Sequence, residues 1–202
     1  MTISALRRRR LARSGVTLLV VLVIAITAFV ALGGTKAATH VVEDVAVVFD
    51  EPFEPDRDDG YVPAGEYVGL SDDHPTITKL DPELLDAVRR AAADLEAEQG
   101  VEMRVTTGWR SLEYQQWLFD EAVERYRDEE IAKSYVASPD VSKHPLGEAI
   151  DIGPLDAQLW LQQYGSDYGL CQTYSNERWH YELATSPGGE CPPMLQDARY
   201  SS

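Results

Sequence analysis

Basic side chains are scarce in this 202-residue chain once its first 40 positions are passed. Those 40 carry six basic and no acidic side chains; the remainder carries 12 basic against 34 acidic. So negative a surface excludes general-field binding to nucleic acid or anionic lipid, and its plainest use is solvation. Internal repeats are absent, which leaves no solenoid or array to consider. Long apolar runs are absent too, with one exception: Gly15 to Gly34 is a 20-residue stretch without a charge. Cysteine is nearly absent, with Cys171 and Cys191 alone.

The uncharged stretch is long enough to cross a bilayer of about 30 Å as a helix. Arg7 to Arg10 and Arg13 precede it, and such a cluster stays cytoplasmic, leaving the C-terminal part outside. A cleaved signal peptide is the competing reading, with small residues around Thr35 and Ala37 at the cleavage position. Length favours the uncleaved anchor, and either way the rest is exported. The expected organisation is a basic tail (1–14), a transmembrane anchor (15–34), an acidic linker (35–73) and one folded domain (74–202), monomeric. One short strand, Val45 to Phe49, is expected in the linker.

Within the domain, Asp81-Pro82 opens a helix that carries Leu84, Leu85, Val88, Ala92 and Leu95 on one face and stops at Gly100. Val101 to Thr107 alternates like a strand and runs into a Gly108-Trp109-Arg110 turn. Ser111 caps a second helix reaching towards Glu130, with Tyr114, Leu118, Ala122 and Tyr126 at helical spacing. Ala149 to Ile152 reads as a short buried strand, and Asp156 to Tyr164 as a helix with Leu159, Trp160 and Leu161 turned inward. Trp179 to Leu183 is the last strand. Helices segregated against a small antiparallel sheet make an α+β domain.

The chemistry concentrates in two runs, SKHPLGEAID (142–151) and NERWH (176–180). His144, Asp151 and His180 supply three ligand types for Zn²⁺, which in catalytic sites takes three protein ligands and keeps a position for water. The pKa of such a water falls from about 15.7 to near neutral. Glu177 is a carboxylate outside that set, suited to move the water's proton as general acid/base. Glu177 and His180, three apart, fit a bend with His180 entering the strand. Glu-x-x-His also occurs in di-iron bundles, but those need two such motifs on facing helices, and the chain has one. Arg110, beside Trp109 at the strand-to-helix turn, has the planar fork that suits a carboxylate or a developing oxyanion. Asp156, Glu148 and Glu182 read as solvated surface carboxylates, and Trp179 and Tyr181 as packing.

These runs resemble the zinc D-alanyl-D-alanine carboxypeptidases of bacterial cell walls, the VanY type, whose fold is shared with lysostaphin-type peptidases and sonic hedgehog. Ser142, His144, Gly147, Ala149 and Asp151 fit the family pattern Ser-x-His-x-x-Gly-x-Ala-x-Asp. Glu177, Trp179 and His180 fit Glu-x-Trp-His. Gly108, Arg110, Ser111 and Gln115 fit a third pattern, with Trp109 and Leu112 replacing two tyrosines. The resemblance spans roughly 80–193 in the family's order and departs at Tyr181-Glu182, where many relatives carry Arg-Tyr.

It implies a zinc peptidase acting on peptidoglycan stem peptides: His144, Asp151 and His180 on zinc, Glu177 and Arg110 catalytic, and Arg110, Ser142 and Gln115 meeting the substrate. An endopeptidase using the same zinc set remains open, as does a wall-binding module with structural zinc; Glu177 favours catalysis, since a binding module has no use for a base. The cysteines bracket the second run, and in an exported chain an even count suggests one disulfide. Cys171 as a zinc ligand is the rival reading, disfavoured by a ligand set complete without it.

Overall fold

A computed structural model of the chain describes residues 53–201. Among them the elements in order are β1 (Val68–Gly69), α1 (Pro75–Thr78), α2 (Pro82–Gln99), β2 (Arg104–Thr107), α3 (Leu112–Tyr126), α4 (Glu129–Lys133), β3 (Ala149–Ile152), α5 (Leu155–Tyr164), β4 (Leu170–Gln172) and β5 (His180–Leu183). The strands form one sheet in the order β1-β2-β3-β5-β4, every pair antiparallel. The architecture is α+β, as expected. The uncharged stretch 15–34 and the Val45–Phe49 strand lie outside the described residues; among those described, no helix is long and apolar enough to cross a membrane.

α2 forms where its caps dictate. The Asp81 carboxylate accepts from the amides of Glu83 and Leu84 at 2.9 and 3.1 Å, Pro82 occupies the first turn, and Gly100 ends the helix at φ 67°. Its buried face (Leu84, Ala87, Val88, Ala91, Leu95) packs in one core with Val105, Ile150, Ile152 and Tyr181 of the sheet and with Ala157, Trp160 and Leu161 of α5. A smaller cluster, Phe119, Ala122 and Ala132, joins α3 to α4.

Alternation along β3 and β5 separates the core from the site. Ile150 pairs with Tyr181 and both are fully buried, whereas Asp151 lies directly opposite His180 and Ala149 opposite Glu182. Directly opposed residues share a face, so Asp151, His180 and Glu182 stand together on the side turned from Ile150 and Tyr181.

Three expectations need correction. The linker was expected to run to Asp73, yet the chain is part of the fold from Phe53 onward: Val68 is buried and pairs with Val105, and Asp59 accepts from the Ser111 hydroxyl at 2.6 Å. Its acidic residues serve as caps rather than as a tether, Asp56 accepting from Asp58 N and Asp72 from Gly69 N, both at 2.8 Å. The second helix does not reach Glu130, because Arg127 turns left-handed (φ 57°) and Asp128 caps a new helix through the amides of Glu130 and Ile131. Trp160 and Leu161 do face inward, but Leu159 is 49% exposed. Three consecutive helical residues sweep about 200° and cannot all face one core.

Candidate metal centre

His144 reaches the site from a tight turn. Residues His144–Leu146 form a single 3₁₀ turn closed by Gly147 at φ 74°, and a side chain there would strike the Lys79 carbonyl. The ring then lies against the β2–α3 turn, with Nδ1 2.8 Å from the Gly108 carbonyl oxygen. Gly108 is held in turn: its N–H donates to Thr76 Oγ1 at 2.7 Å, and a Cβ there would lie 2.1 Å from the Thr76 carbonyl oxygen. Donation from Nδ1 fixes the tautomer and leaves the Nε2 lone pair of His144 facing the pocket.

His180 is fixed the same way from the other side. Its Nε2 lies 2.8 Å from Glu182 Oε1, so Nδ1 is the free nitrogen. Three ligand atoms now converge: His144 Nε2 to His180 Nδ1 is 3.3 Å, His180 Nδ1 to Asp151 Oδ1 is 3.3 Å, and His144 Nε2 to Asp151 Oδ1 is 3.5 Å. A tetrahedral ion with bonds of about 2.0–2.1 Å separates its ligands by about 3.3–3.4 Å. Asp151 Oδ1 is buried and finds no well-formed hydrogen bond, although two ring nitrogens lie within 3.5 Å. Lone pairs that face one another across such a gap ask for a cation between them, and two imidazoles with one carboxylate form a donor set suited to zinc.

The electrostatics agree. Burial, then the facing Arg110, pushes His144 down to about 3, so that its ring is neutral. Burial disfavours a charged Asp151, but the two histidines and Arg110 outweigh it and hold the carboxyl near 2. Burial likewise opposes a charged His180, but the carboxylates of Asp151 and Glu182, one beside each ring nitrogen, raise it to about 9. The cluster thus welcomes one added positive charge beside Asp151, from a proton on His180 or from a metal ion. Only the metal also accounts for the near-tetrahedral spacing.

Around this centre is a cleft of about 170 Å³, lined among others by Arg110, Tyr135, Ser142, Tyr174, Glu177 and Trp179. Glu177 sits in the turn before β5, its Oε2 3.7 Å from His180 Nδ1. Burial pushes its carboxyl up to about 7, His180 and Arg110 opposing the rise and Asp151 adding to it. A carboxyl that titrates near neutrality is suited to exchange protons there. Arg110 is partly exposed as a residue, yet its Nε is enclosed and without a hydrogen-bond partner. Burial lowers its pKa while Asp151, Tyr114 and Glu177 act against that, and a guanidinium stays charged throughout.

His144, Asp151, His180, Glu177, Arg110 and Ser142 are therefore brought together. Gln115 is not: it is fully buried, donating through Nε2 to the Ala137 carbonyl at 2.7 Å and accepting from Ser142 Oγ at 3.0 Å. Its amide braces the wall behind the cleft, and in this structure the Ser142 proton is engaged by Gln115 as well. Trp179, expected as packing, is 43% exposed on the rim, while Tyr181 is fully buried with its hydroxyl on the Gln158 carbonyl. Glu182 is no solvated surface carboxylate; its side chain is 16% exposed and bound to His180. Its position two residues after His180 on a strand was the available signal, since such residues share a face. Nothing in the sequence marked Tyr174, whose ring packs 4.9 Å from that of His180. Cys171 and Cys191 form a disulfide with Cα atoms 5.7 Å apart, so neither is a ligand.

Comparison with known proteins gives one matching family model, VanY: D-alanyl-D-alanine carboxypeptidase, over residues 77–186. A D-alanyl-D-alanine carboxypeptidase of Enterococcus faecalis (strain ATCC 700802 / V583) is 30% identical over 128 residues, covering 51% of this chain and 46% of that protein. The chain thus spans about half the length of that curated relative. Among solved structures, a mutant of the vancomycin resistance D,D-pentapeptidase VanY in complex with Zn(II) is 26% identical, covering 60% of this chain and 82% of that one at a TM-score of 0.48. VanYB in complex with D-alanine-D-alanine is also 26% identical, with coverage of 60% and 80% and a TM-score of 0.48. The LdcB LD-carboxypeptidase is 25% identical, with coverage of 67% and 72% and a TM-score of 0.49.

Proposed function

The chain belongs to the VanY D-alanyl-D-alanine carboxypeptidase family, and from that membership we propose that it is a zinc metallopeptidase hydrolysing D-alanyl-D-alanine or related bonds in peptidoglycan stem peptides. The observation that carries this reading is the near-tetrahedral convergence of His144 Nε2, Asp151 Oδ1 and His180 Nδ1, with the non-ligand Glu177 beside it. His144, Asp151 and His180 would hold the zinc. Bound there, zinc would polarise the scissile carbonyl and acidify the attacking water.

The protein's own groups do the rest. Glu177 takes the proton from the water at a carboxylate oxygen, the water oxygen bonds to the carbonyl carbon, and the same carboxyl returns the proton to the amine nitrogen as the C–N bond breaks. Burial supports that role by raising Glu177 to about 7. Arg110, charged and with an unpartnered Nε, offers its guanidinium to the oxyanion or to a substrate carboxylate. Gly108 and Glu182 keep the two imidazoles oriented. The uncharged stretch after the N-terminal arginines supports a single-pass anchor with the domain outside the cell, and the disulfide supports an oxidising compartment.

Glu177→Gln tests the assignment, because it keeps shape and loses proton acceptance. Zinc content should stay near wild type while turnover on stem peptides falls at least about 10²-fold. Wild-type turnover in zinc-loaded Glu177→Gln would remove Glu177 as the base. Mass spectrometry of muropeptides incubated with the wild type identifies the bond: loss of one alanine marks a carboxypeptidase, a split stem an endopeptidase, and no change a binding module.

A further inference from the structure

His144, Asp151, His180 and Glu177 are held in two different ways. Asp151 and His180 stand opposite each other on paired strands, and the Gly108 carbonyl and Glu182 orient the two imidazoles. Glu177 has no such element beneath it: it belongs to residues 173–179, the connection from β4 to β5. Its backbone makes turn contacts there, the N–H donating to the Tyr174 carbonyl at 3.3 Å and the carbonyl accepting from His180 N–H at 3.2 Å. A group on a loop is placed less precisely than a group on a strand unless something outside the loop fixes it.

The C-terminal segment 191–201 does this, and it lies past residues 77–186, the part that the family model matches. The Cys171–Cys191 disulfide brings it back to β4 just before the connection begins. It then runs alongside: Leu195 N–H donates to the Thr173 carbonyl at 2.9 Å and the Leu195 carbonyl accepts from Ser175 N–H at 2.8 Å, a parallel bridge with Tyr174. Ser175 Oγ donates to the Gln196 carbonyl at 2.9 Å, and the hydroxyls of Tyr174 and Ser201 lie 2.6 Å apart. The segment is braced in itself, Asp197 capping the single turn Ala198–Tyr200 by accepting from Arg199 N at 3.0 Å and from its guanidinium at 2.6 Å. That turn sets Ala198, 4% exposed, into the wall of the metal cleft. From the other side Asn176 Nδ2 donates to the carbonyl of Ser134, the residue after α4, at 2.8 Å. The two residues before Glu177 are thus pinned, Ser175 to the segment and Asn176 to the end of α4.

We propose that the disulfide-tethered segment 191–201 is a positioning element that aims Glu177 at the metal centre, with Ser175 as the residue through which it acts. The assignment rests on the peptidase reading above and adds to it that the base and the metal ligands are placed by separable supports. Loosening the segment lets the connection drift while Asp151 and His180 stay paired in the sheet. Tyr174 packs on the His180 ring, but that ring takes its aim from Glu182. A lesion in the segment should therefore lower kcat and keep the metal, whereas loss of the partner that orients a ligand lowers metal affinity. A misplacement of about 1 Å can cost about 10²-fold in rate. KM should move little, because alignment of the base matters in the transition state.

Two lesions in the full-length protein test it. The double variant Cys171→Ser with Cys191→Ser removes the tether and no group of the cleft; Ser175→Ala removes one bond to the segment and leaves the disulfide. Hydrolysis of a synthetic stem pentapeptide ending in D-alanyl-D-alanine gives kcat and KM, and competition with a chromophoric chelator gives the zinc dissociation constant. The double variant should lose about tenfold in kcat and Ser175→Ala about threefold, each with KM and the zinc constant within about twofold of wild type. Ser175→Thr keeps the hydroxyl and should restore most of the loss. Wild-type kcat in the folded double variant, or zinc affinity falling in step with kcat, overturns the proposal. Should the double variant not fold, Ser175→Ala and Ser175→Thr decide on the same terms. If the wild type hydrolyses no peptide, the peptidase reading fails, and amide hydrogen exchange of residues 174–177 in the zinc-loaded protein decides whether the segment holds the turn: faster exchange in Ser175→Ala supports it, and unaltered exchange overturns it.

Discussion

Replacing Glu182 with alanine removes the acceptor that holds the His180 ring, 2.8 Å from Nε2, without touching a ligand atom. His180 is 4% exposed, so water cannot readily take the acceptor's place. Two effects follow. An enclosed N–H left unpaired costs about 1–3 kcal/mol of folding stability. The ring also loses the partner that directs Nδ1 at Asp151 and His144, and loss of such a partner typically lowers metal affinity 10–100-fold, or about 1.4–2.7 kcal/mol. Glu182→Gln separates them: its amide oxygen still accepts from Nε2, so folding should recover, while the missing charge leaves the imidazole a poorer ligand and affinity intermediate. Competition against a chromophoric chelator gives the zinc dissociation constant, and chemical denaturation of the metal-free protein gives stability. A dissociation constant for Glu182→Ala equal to that of the wild type would refute the argument, since the carboxylate would then be a bystander.

His144→Ala, Asp151→Ala and His180→Ala should each strip zinc, as measured by metal analysis after gel filtration; stoichiometric zinc in His180→Ala would sink the ligand assignment. Chelation should lower the melting temperature of the wild type, because a ligand at 1,000 times its dissociation constant stabilises the fold by about 4 kcal/mol. Cys171 and Cys191 should resist thiol labelling in the unreduced protein, and Cys191→Ser should lower stability by about 3 kcal/mol, the chain-entropy figure for a loop of this size. Gly108→Ala should destabilise by about 1–3 kcal/mol, since its Cβ would lie 2.1 Å from the Thr76 carbonyl oxygen and the turn must shift; zinc affinity should fall with it, as that turn also holds His144.

Much of the scaffold was legible because local chemistry decided it. Asp81, Pro82 and Gly100 set both ends of α2, and Ser111 caps α3 through the amide of Tyr114. The strand 149–152 has the predicted bounds, since its short apolar run has no competing cap. Where reading failed, tertiary contact outweighed composition. An acidic, proline-containing segment looks like a linker until its aspartates become caps and Val68 joins the edge of the sheet. A long periodic run looks like one helix until Asp128 offers a better start to the next. Cross-strand register cannot be read from one chain, so the pairing of Asp151 with His180 was not available, although both residues were.

That register explains why the recognisable motifs understate the site. Motifs record which side chains meet the reactants, here His144, Asp151, Glu177 and His180, and say little about what aims them. The aim comes from two unlike supports. One is the Gly108 carbonyl, a backbone group available only because glycine can lie against Thr76; the other is Glu182, delivered to His180 by strand alternation. A backbone carbonyl cannot be exchanged by point substitution, whereas Glu182 can. Changes at 182 are therefore the direct route to tuning metal affinity while the three ligands stay fixed.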